Sequence, residues 1–483
     1  MSETPSTLVG SAPGLFDGVL ARGEVREATS DRAWLQAMLD VEAALARAEA
    51  RAGLFPPAIA DEIGRACHAE HFDVAALGRA AAATGNPVPA LVRALTAQVG
   101  GVGGGEVHRG ATSQDILDTA AMLIARRALL PLSADLDGAA RAAARLTERH
   151  RQTLMAGRTL LQQALPITFG LKAAGWLSAL DGAAARLEEI ARSQLAVQLG
   201  GAAGTLASLG TAGPAVMGFL GEELGLAVPL LPWHSSRERV AALAAALGVA
   251  AGAMGKVARD VTLLAQTEVG EAHEGDRAEA SAPSASAEGQ APSRRGGSST
   301  LPHKHNPIAA VSATACAARA PGLVATLLAA MVQEHERAAG AWHAEWRPLN
   351  DLMVTVGSAA AWLRDCLERL TVDEGRMRAN LGATHGLLLS ERVTAALAPH
   401  VGRLVAHDLV TDACAEAAAA PRPLAEVLAA RPAITAWLSP LEIDVLLDPS
   451  DYLGSTQLFI DRALRVHAAR HGAGGLRDEV LPP

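Results

Sequence analysis

The sequence is poor in aromatic residues and in cysteine. Aromatic side chains make up only 3% of the 483 residues, although strands favour aromatic and β-branched residues. The four cysteines lie far apart and form no CxxC pair (Cys67, Cys316, Cys366 and Cys414). This spacing favours reduced thiols over a disulfide framework. Half of the residues are hydrophobic and alanine is abundant, so closely packed helices are favoured over sheets.

Strong basic character is also absent. The formal net charge is −9 and no long basic run occurs, which argues against nucleic-acid binding. The N-terminus lacks a basic segment followed by an apolar one, so we predict no signal peptide. The most apolar stretch, residues 240–254, is too short to span a bilayer. We therefore predict a buried helix there, no membrane association and a cytoplasmic protein.

The usual signatures of cofactor and metal sites are missing. The sequence has no Walker A motif, no strand followed by GxGxxG, no HExxH and no GxSxG. Two polar groups have weak metal-ligand character: Cys67, His68 and His71, and Glu334, His335 and His343. Both groups are better explained as polar side chains that are solvated or hydrogen-bonded in the core than as metal ligands. The sequence therefore predicts a protein with neither cofactor nor metal.

Helical periodicity dominates the chain and predicts an all-α fold. Ser30 is expected to cap a helix that ends near Gly53. Pro131 is expected to divide the next pattern into two helices, and 156–159 is expected to be a loop. Further long patterns cover 169–198, 238–269, 308–339 and 346–370. Helices of this length predict an extended bundle, and the chain length suggests two or three domains.

One segment differs from the helical patterns. Residues 278–295 are rich in Ala, Ser, Pro and Gly, which predicts a mobile loop. The string GSSTLPHKHNP follows it at 297–307. A mobile loop that leads into a cluster of small hydroxyl donors suggests an active-site lid.

Three clusters combine hydroxyls, amides and cations, a mixture that suits carboxylate binding. They are HRGATSQD at 108–115, GRT at 157–159 with Gln162, and the segment 296–307. Each lies at a loop or helix start, where free N–H groups attract anions. For any single cluster a capped helix with a polar loop is the simpler explanation. Three of them in one helical chain favour an active site.

At this point a family resemblance appears. GSSTLPHKHNP is similar to the GSSxMPxKxNP signature of the fumarase/aspartase superfamily, and the other two clusters resemble its remaining common regions in the expected order. Within the superfamily the chain most resembles the 3-carboxy-cis,cis-muconate cycloisomerases. The supporting stretches are SDRAWLQAMLDVEAALARAEA, HRGATSQDILDTA, GRTLLQQALPITFG, QLGGAAGTLASLG, GAWHAEW and the turn Pro232-Trp233-His234. The resemblance covers nearly the whole chain.

The resemblance implies an all-α, three-domain fold with a long central helical bundle. The expected domains are N-terminal helices at 1–111, the bundle at 112–355 and C-terminal helices at 356–483. It implies a cofactor-independent enzyme that interconverts 3-carboxy-cis,cis-muconate, a small polycarboxylate, and 4-carboxymuconolactone. It also implies a homotetramer in which three subunits supply the three clusters to each active site.

The same resemblance assigns roles to residues. Ser298 is expected to transfer the proton to or from carbon. A serine hydroxyl is a weak base unless its alkoxide is stabilised, and Lys304, backbone N–H groups and exclusion of water would stabilise it. The residues expected to bind substrate carboxylates are Thr112, Ser113, Thr159, Gln162, Lys304 and Asn306. Arg109 and Arg158 are either further substrate ligands or structural partners of an acid.

Three departures from the family pattern are informative. Leu160 stands where amine-releasing relatives carry a histidine as general acid. A carboxylate, with a pKa of about 4, leaves without a proton, so Leu160 favours cycloisomerase chemistry over adenylosuccinate or argininosuccinate cleavage. His305 replaces the arginine expected in the cycloisomerases, which affects the expected carboxylate binding. Leu301 replaces the signature methionine, a mild change.

Two alternatives stay open. Nitrite is also a weakly basic leaving group, so a lyase that releases fumarate from a substituted succinate such as nitrosuccinate fits Leu160 equally well. A non-enzymatic, crystallin-like structural protein is the third hypothesis. The presence of Ser298, Lys304 and Asn306 weighs against it.

Overall fold

The computed structural model describes residues 14–275, 296–297, 300–301, 303–420 and 422–472. Helices account for most of these residues, so the predicted all-α fold is confirmed. The predicted mobile loop at 278–295 lies outside the described residues, as does Ser298. All four cysteines are described and free, as expected for reduced thiols.

Between residues 14 and 111 the described chain forms seven helices. They are α1 (Asp17–Leu20), α2 (Val25–Ala28), α3 (Asp31–Arg51), α4 (Pro57–Ala66), α5 (Val74–Thr84), α6 (Val88–Val99) and α7 (Gly101–Glu106), with a 3₁₀ turn at Ala69–His71. Ser30 caps α3 as predicted, because its Oγ accepts a hydrogen bond from the backbone N of Ala33 at 3.2 Å. The chain leaves this helix through Gly53, whose φ is +79°.

Long helices form the central bundle. The helices of this region are α8 (Ser113–Arg149), α9 (Phe169–Ser193), α10 (Gly213–Leu224), α11 (Glu238–Leu264), α12 (Ile308–Ala329) and α13 (Ala341–Glu368), with a 3₁₀ turn at Ala207–Ala212. α8 packs against α9 and α13, α11 packs against α9, α12 and α13, and the short α10 packs against α3. Many buried bundle positions are alanines, whose small side chains let the helices approach closely.

The predicted break at Pro131 is wrong. α8 continues through Pro131 for a total of 37 residues. Proline in a helix removes one backbone donor and costs about 3 kcal/mol, but Leu129, Leu132 and Leu136 are buried around it. Burial of each such side chain contributes about 1.5–3 kcal/mol to folding stability, and together these contributions outweigh the cost of the proline. The helices predicted as 169–198, 238–269 and 308–339 were too long, because α9, α11 and α12 end earlier, whereas α13 begins five residues before its predicted start.

The described ranges contain two short antiparallel sheets. β1 (Leu154–Thr159) pairs with β2 (Gln162–Thr168), and β3 (Ala272–Glu274) pairs with β4 (Leu370–Val372). The loop predicted at 156–159 is therefore a hairpin strand. Its register shifts at Gly157, where a Cβ would lie 2.9 Å from the carbonyl oxygen of Leu165. Glycine is needed for this close approach.

The C-terminal part has its own hydrophobic core, built by buried residues between Val393 and Ile443. Its helices are α14 (Glu374–Gly382), α15 (Ser390–Val401), α16 (Arg403–Ala419), α17 (Leu424–Ala429), α18 (Pro432–Thr435), α19 (Pro440–Leu446) and α20 (Thr456–Gly472), with 3₁₀ turns at Leu387–Leu389 and Pro449–Asp451. α20 returns to pack on α9. The domain boundaries at 111/112 and 355/356 stay predictions, and α13 runs across the second one.

Two bundle helices, α11 and α12, are long and apolar enough to cross a membrane by length and composition alone. A core helix of a helical bundle passes the same test, and both helices pack against other helices of this bundle. Val240, Leu247 and Met254 are buried in α11 as predicted. In α12, however, only 33% of the most apolar stretch is buried, so the part of the chain that the structure describes leaves an apolar face of this helix uncovered.

Candidate active site

The first polar cluster lies where α8 begins. The backbone N of Thr112 donates to Oδ2 of Asp115 at 2.9 Å, a capping interaction that fixes the start of the helix. Oγ1 of Thr112 accepts from Nη1 of Arg337 at 2.9 Å. Arg337 also donates to the carbonyl oxygen of Ala202 at 2.9 Å. Ser113, the first residue of α8, is half-buried beside it. The two predicted carboxylate-binding hydroxyls therefore lie together.

Asp115 holds the surroundings of this cluster in place. Its two carboxylate oxygens accept from the backbone N of Gly200 and of Gly201, each at 2.9 Å. Oδ1 also lies 2.7 Å from Nε2 of His234. All these groups are buried, where a paired carboxylate is favourable and an unpaired one is costly. Asp115 thus ties α8 to the glycine loop and to the turn before α11.

A buried ion cluster lies one turn further along α8. Arg237 donates to both oxygens of Asp118, at 2.7 and 2.9 Å, and to Glu345 at 2.6 Å. Trp342 adds a hydrogen bond to Asp118 at 3.0 Å. Burial alone would lower the pKa of Arg237, but the two carboxylates outweigh it and raise the pKa. The cluster brings the first turns of α8, α11 and α13 to one end of the bundle, which we call the Thr112 end.

Arg109 lies near a group of acids at the Thr112 end. Its Nη1 donates to Glu106 at 2.6 Å. Nδ1 of His108 lies 2.7 Å from Glu42, and although burial opposes protonation, this carboxylate raises the pKa of His108. Glu49 is buried, and neither of its carboxylate oxygens has a hydrogen-bond partner in the described part of the chain. Burial raises the pKa of Glu49 to about 8, although the charge of Arg109 opposes the shift.

The second cluster lies at the tip of the β1–β2 hairpin. Thr159 and Gln162 are cross-strand neighbours and both are exposed. Between them, Leu160 and Leu161 form the turn, with 96% and 72% of their surface exposed. Arg158 instead points to Glu271, which is fully buried, and makes a two-pronged ion pair at 2.7 and 2.8 Å. This pair anchors the hairpin beside the end of α11.

The third cluster folds back on itself before α12. The backbone N and Nδ2 of Asn306 both donate to the carbonyl oxygen of Gly296, at 2.9 and 3.0 Å. Gly297 forms an antiparallel bridge with His305, so the predicted proton-transferring segment is closed at its base. Gly296 has a φ of +73°, and a Cβ there would lie 2.4 Å from the carbonyl oxygen of Asn306. Lys304 is exposed.

The first turn of α12 does not offer the free donors that we predicted for each cluster. Oε2 and Oε1 of Glu274 accept from the backbone N of Ala309 and Ala310, at 3.1 and 2.8 Å. A carboxylate at a helix N-terminus is favourable, so this protein side chain already occupies the anion position. The donors that we predict for anion binding by the third cluster must therefore come from the residues before α12.

The described residues of the three clusters do not meet within one chain. α8 has 37 residues, and at 1.5 Å per residue it is about 55 Å long. Thr112 precedes its start, and the hairpin follows its end. Glu271 and Glu274, which follow α11, anchor the hairpin and the start of α12 respectively, so the second and third clusters share the opposite end, which we call the hairpin end. A site that combines all three needs more than one chain.

Sequence reasoning missed several residues that the structure places at these clusters. Arg337 contacts Thr112, His234 contacts Asp115, and Glu271 holds Arg158. The sequence offered two signals: the Pro232-Trp233-His234 turn, and QEHER at 333–337 just before GAWHAEW. Neither signal says which partner a side chain would have.

These features define a class of protein: an all-helical enzyme whose polar clusters are divided between the two ends of a long bundle. Comparison with known proteins gives the family. Residues 20–322 match the family described as Lyase, and residues 386–463 match the family described as Adenylosuccinate lyase C-terminus. The chain belongs to this lyase family, within the fumarase/aspartase superfamily, and the predicted resemblance is confirmed.

Individual relatives cover nearly the full length. The chain is 49% identical to 3-carboxy-cis,cis-muconate cycloisomerase of Bradyrhizobium diazoefficiens over 93% of this chain and 97% of the relative. It is 46% identical to nitrosuccinate lyase of Streptomyces davaonensis over 93% of this chain and 94% of the relative. The crystal structure of 3-carboxy-cis,cis-muconate lactonizing enzyme from Pseudomonas putida is similar with a TM-score of 0.86 at 43% identity, covering 95% of this chain and 100% of that one.

Proposed function

We propose that the protein is a cofactor-independent cycloisomerase that interconverts 3-carboxy-cis,cis-muconate and 4-carboxymuconolactone. The full-length similarity to the Bradyrhizobium cycloisomerase carries this proposal. Leu160 supports it, because a carboxylate leaving group needs no general acid at that position. The hydroxyl, amide and cationic side chains of the three clusters suit a substrate with several carboxylates.

The reaction can be written with the residues of this chain. In the lactonising direction, a substrate carboxylate oxygen bonds to one alkene carbon and the adjacent carbon gains a proton. In the reverse direction that proton leaves, the C–O bond breaks, and the alkene and the carboxylate form again. We assign the proton transfer to Ser298, with Lys304 stabilising the charge that develops.

The other predicted residues divide into two groups. We propose that the substrate carboxylates bind to Thr112, Ser113, Thr159, Gln162, Lys304 and Asn306. Asn306 uses one amide N–H for Gly296 and keeps a second for the substrate. For Arg109 and Arg158 we propose a structural role, because their guanidinium groups already pair with Glu106 and Glu271.

We further propose a cytoplasmic homotetramer with active sites shared between subunits. The separation of the Thr112 and hairpin ends by about 55 Å within one chain supports this arrangement. The uncovered apolar face of α12, which includes Val311 and Leu328, would form part of the subunit interface. The exposed Leu160 and Leu161 would likewise contact a neighbouring subunit.

A second candidate is a nitrosuccinate lyase. The 46% identity to the Streptomyces enzyme favours it, and nitrite needs no proton to leave. In that reaction the proton α to a carboxylate is removed and the C–N bond breaks, which releases fumarate and nitrite.

Two assays distinguish the candidates. The protein is incubated with 3-carboxymuconate while diene absorbance is followed, and with nitrosuccinate while fumarate and nitrite are measured. Loss of the diene supports the cycloisomerase, and fumarate release supports the lyase. Turnover of neither substrate would contradict both proposals. Ser298→Ala should abolish the productive reaction, whereas the matched Ser299→Ala variant should retain it.

A further inference from the structure

A group of metal-ligating side chains lies outside the three active-site clusters, where α20 packs on α9. Asp181 lies on α9, and His467 and His471 lie one turn apart on α20. One ligand atom of each residue lies within 4.8 Å of the other two. Nδ1 of His467 is 3.1 Å from both carboxylate oxygens of Asp181, and the two imidazole centroids are 4.5 Å apart.

We propose that Asp181, His467 and His471 bind a divalent transition-metal ion such as Zn²⁺. Residues four apart on a helix point to the same side, so both imidazoles can reach one ion, and Asp181 completes three ligands from the facing helix. Imidazole with carboxylate suits Zn²⁺, Ni²⁺, Co²⁺ and Cu²⁺, whereas Mg²⁺ and Ca²⁺ prefer oxygen ligands alone. His471 is exposed, which leaves room for water to fill the remaining coordination position.

The charges around this group favour a cation. Arg470 is paired with Asp137 at 3.3 Å, with Asp181 at 3.5 Å and with Glu188. Three carboxylates against one guanidinium leave an excess of negative charge, which a divalent ion would neutralise.

The sequence contained a signal for this site, since His467 and His471 have HxxxH spacing, but Asp181 lies 286 residues before His467 and cannot be found from spacing.

The bound ion would join two parts of the molecule. Residues between Val393 and Ile443 have a hydrophobic core of their own, and α20 then returns to the bundle. An ion bound between α20 and α9 would stabilise the packing of α20 on the bundle. None of its ligands belongs to the three clusters, so we expect a structural effect and unchanged turnover.

Binding can be tested directly on full-length protein without an affinity tag. The protein is treated with EDTA, dialysed and titrated with ZnCl₂ in a calorimeter, and Co²⁺ binding is followed by its visible absorption. We expect one Zn²⁺ per chain at this site and no saturable binding of Mg²⁺ or Ca²⁺. Removing a metal ligand should cost at least about tenfold in affinity, so His471→Ala should bind Zn²⁺ at least that much more weakly.

The matched control is His407→Ala, which removes another exposed helical histidine that lies beside an acid, Asp408, at 3.6 Å. This variant should bind Zn²⁺ like the unmodified protein. Saturating Zn²⁺ should raise the Tm of the unmodified protein by about 2 °C or more, but not the Tm of His471→Ala. His471→Ala keeps the pair between His467 and Asp181, so folding should be preserved. Unchanged Zn²⁺ affinity in that variant, or no binding by the unmodified protein, would overturn the proposal.

Discussion

At the scale of single residues, Thr112 connects the fold with the chemistry. Its backbone N caps α8 through Asp115, and its Oγ1 accepts from Arg337. Because Arg337 occupies an acceptor position of this hydroxyl, the hydroxyl hydrogen stays available to donate to a substrate carboxylate. The rotamer of Thr112 is therefore fixed before substrate binds.

Thr112→Val tests this arrangement, because valine keeps the shape and loses the hydroxyl. One hydrogen bond to a carboxylate contributes roughly 1.5–3 kcal/mol, so kcat/KM should fall by about 10–100-fold. Thr112→Ser, which keeps the hydroxyl, should retain most activity. The measurements are steady-state kinetics on 3-carboxymuconate with thermal unfolding as the control for stability. A Thr112→Val enzyme with normal kinetics would remove this residue from substrate binding.

Arg337 can be tested as a positioning residue. Arg337→Lys keeps the charge but cannot reach Thr112 and the carbonyl of Ala202 in the same geometry, so kcat/KM should fall. If Arg337 acts through Thr112, combining Arg337→Lys with Thr112→Val should lower kcat/KM little further than Thr112→Val alone. Fully additive losses would show that Arg337 acts independently of Thr112.

Glu49 gives a prediction about pH. Its folded pKa of about 8 is above the ordinary value of 4.5, so the unfolded chain releases this proton at lower pH than the folded chain does. The stability that the protonated carboxyl contributes is thus present below pH 4.5 and is lost as pH rises towards 8. Glu49→Gln should be more stable than the unmodified protein at pH 8 by about 4 kcal/mol, and this difference in stability should shrink towards pH 5.

Urea unfolding at pH 5 and at pH 8 measures this difference. Glu62→Gln, an exposed change on α4, is the matched control and should show no such trend. A Glu49→Gln variant whose stability relative to the unmodified protein is the same at both pH values would contradict the assignment.

Some of these residues could be predicted from the sequence and others could not. The start of α8 at Thr112 and Ser113 was predictable, because a hydroxyl pair before a helical pattern is a local signal, whereas their role in carboxylate binding stays a prediction. Arg337 was not, because it lies 225 residues from Thr112, and only folding brings them together. The two possible roles of Arg109 and Arg158 also stayed open, since the position of a partner acid is a property of the fold.

At the scale of elements, the β1–β2 hairpin is the most unusual feature. Its turn residues, Leu160 and Leu161, have φ values of +52° and +65°. A two-residue turn with positive φ at both positions usually carries Asn-Gly, and a non-glycine residue there costs about 1–2 kcal/mol. Strain at two exposed leucines suggests that their side chains gain contacts with another subunit.

The double variant Leu160→Asn with Leu161→Gly tests this interpretation. Asn-Gly favours the same turn, so the hairpin should keep its shape and the Tm should not fall. Loss of the two leucine side chains should weaken contact with the neighbouring subunit's site, and kcat/KM should fall by about tenfold or more, as expected for misplaced site residues. Unchanged kinetics would show that the hairpin tip makes no functional contact.

Helices were predicted correctly where the helical periodicity of apolar residues extended over many residues. Predictions failed where tertiary packing determined the local structure. α3 and its Ser30 cap were predicted, and so were α9, α11, α12 and α13, whereas α8 was predicted as two helices and α10 was not predicted. The break predicted at Pro131 was wrong because local chain geometry favours a break there, whereas the burial of leucines on both sides stabilises a continuous α8. The hairpin at 154–168 lacks a clear alternation of apolar residues, and it is anchored both by the Arg158–Glu271 ion pair and by the burial of Met155 in the main core.

At the scale of the whole molecule, the bundle separates the clusters that the proposed reaction would combine. The Thr112 end carries one cluster and the hairpin end carries the other two, about 55 Å apart along α8. Composition could not reveal this separation; it follows from the unbroken length of α8 and from the contacts that Glu271 and Glu274 make. The uncovered apolar face of α12 is the surface where further chains would pack.

Subunit complementation tests the central claim of shared sites most directly. Thr112→Val and Ser298→Ala chains, each impaired alone, are coexpressed in equal amounts so that mixed tetramers form. If the two residues of a site come from different chains, each is intact with a probability of one half, and about one quarter of the sites should be fully intact. We predict recovery to about one quarter of unmodified activity on 3-carboxymuconate. Mixed tetramers with no more activity than the average of the two parent variants would contradict shared sites.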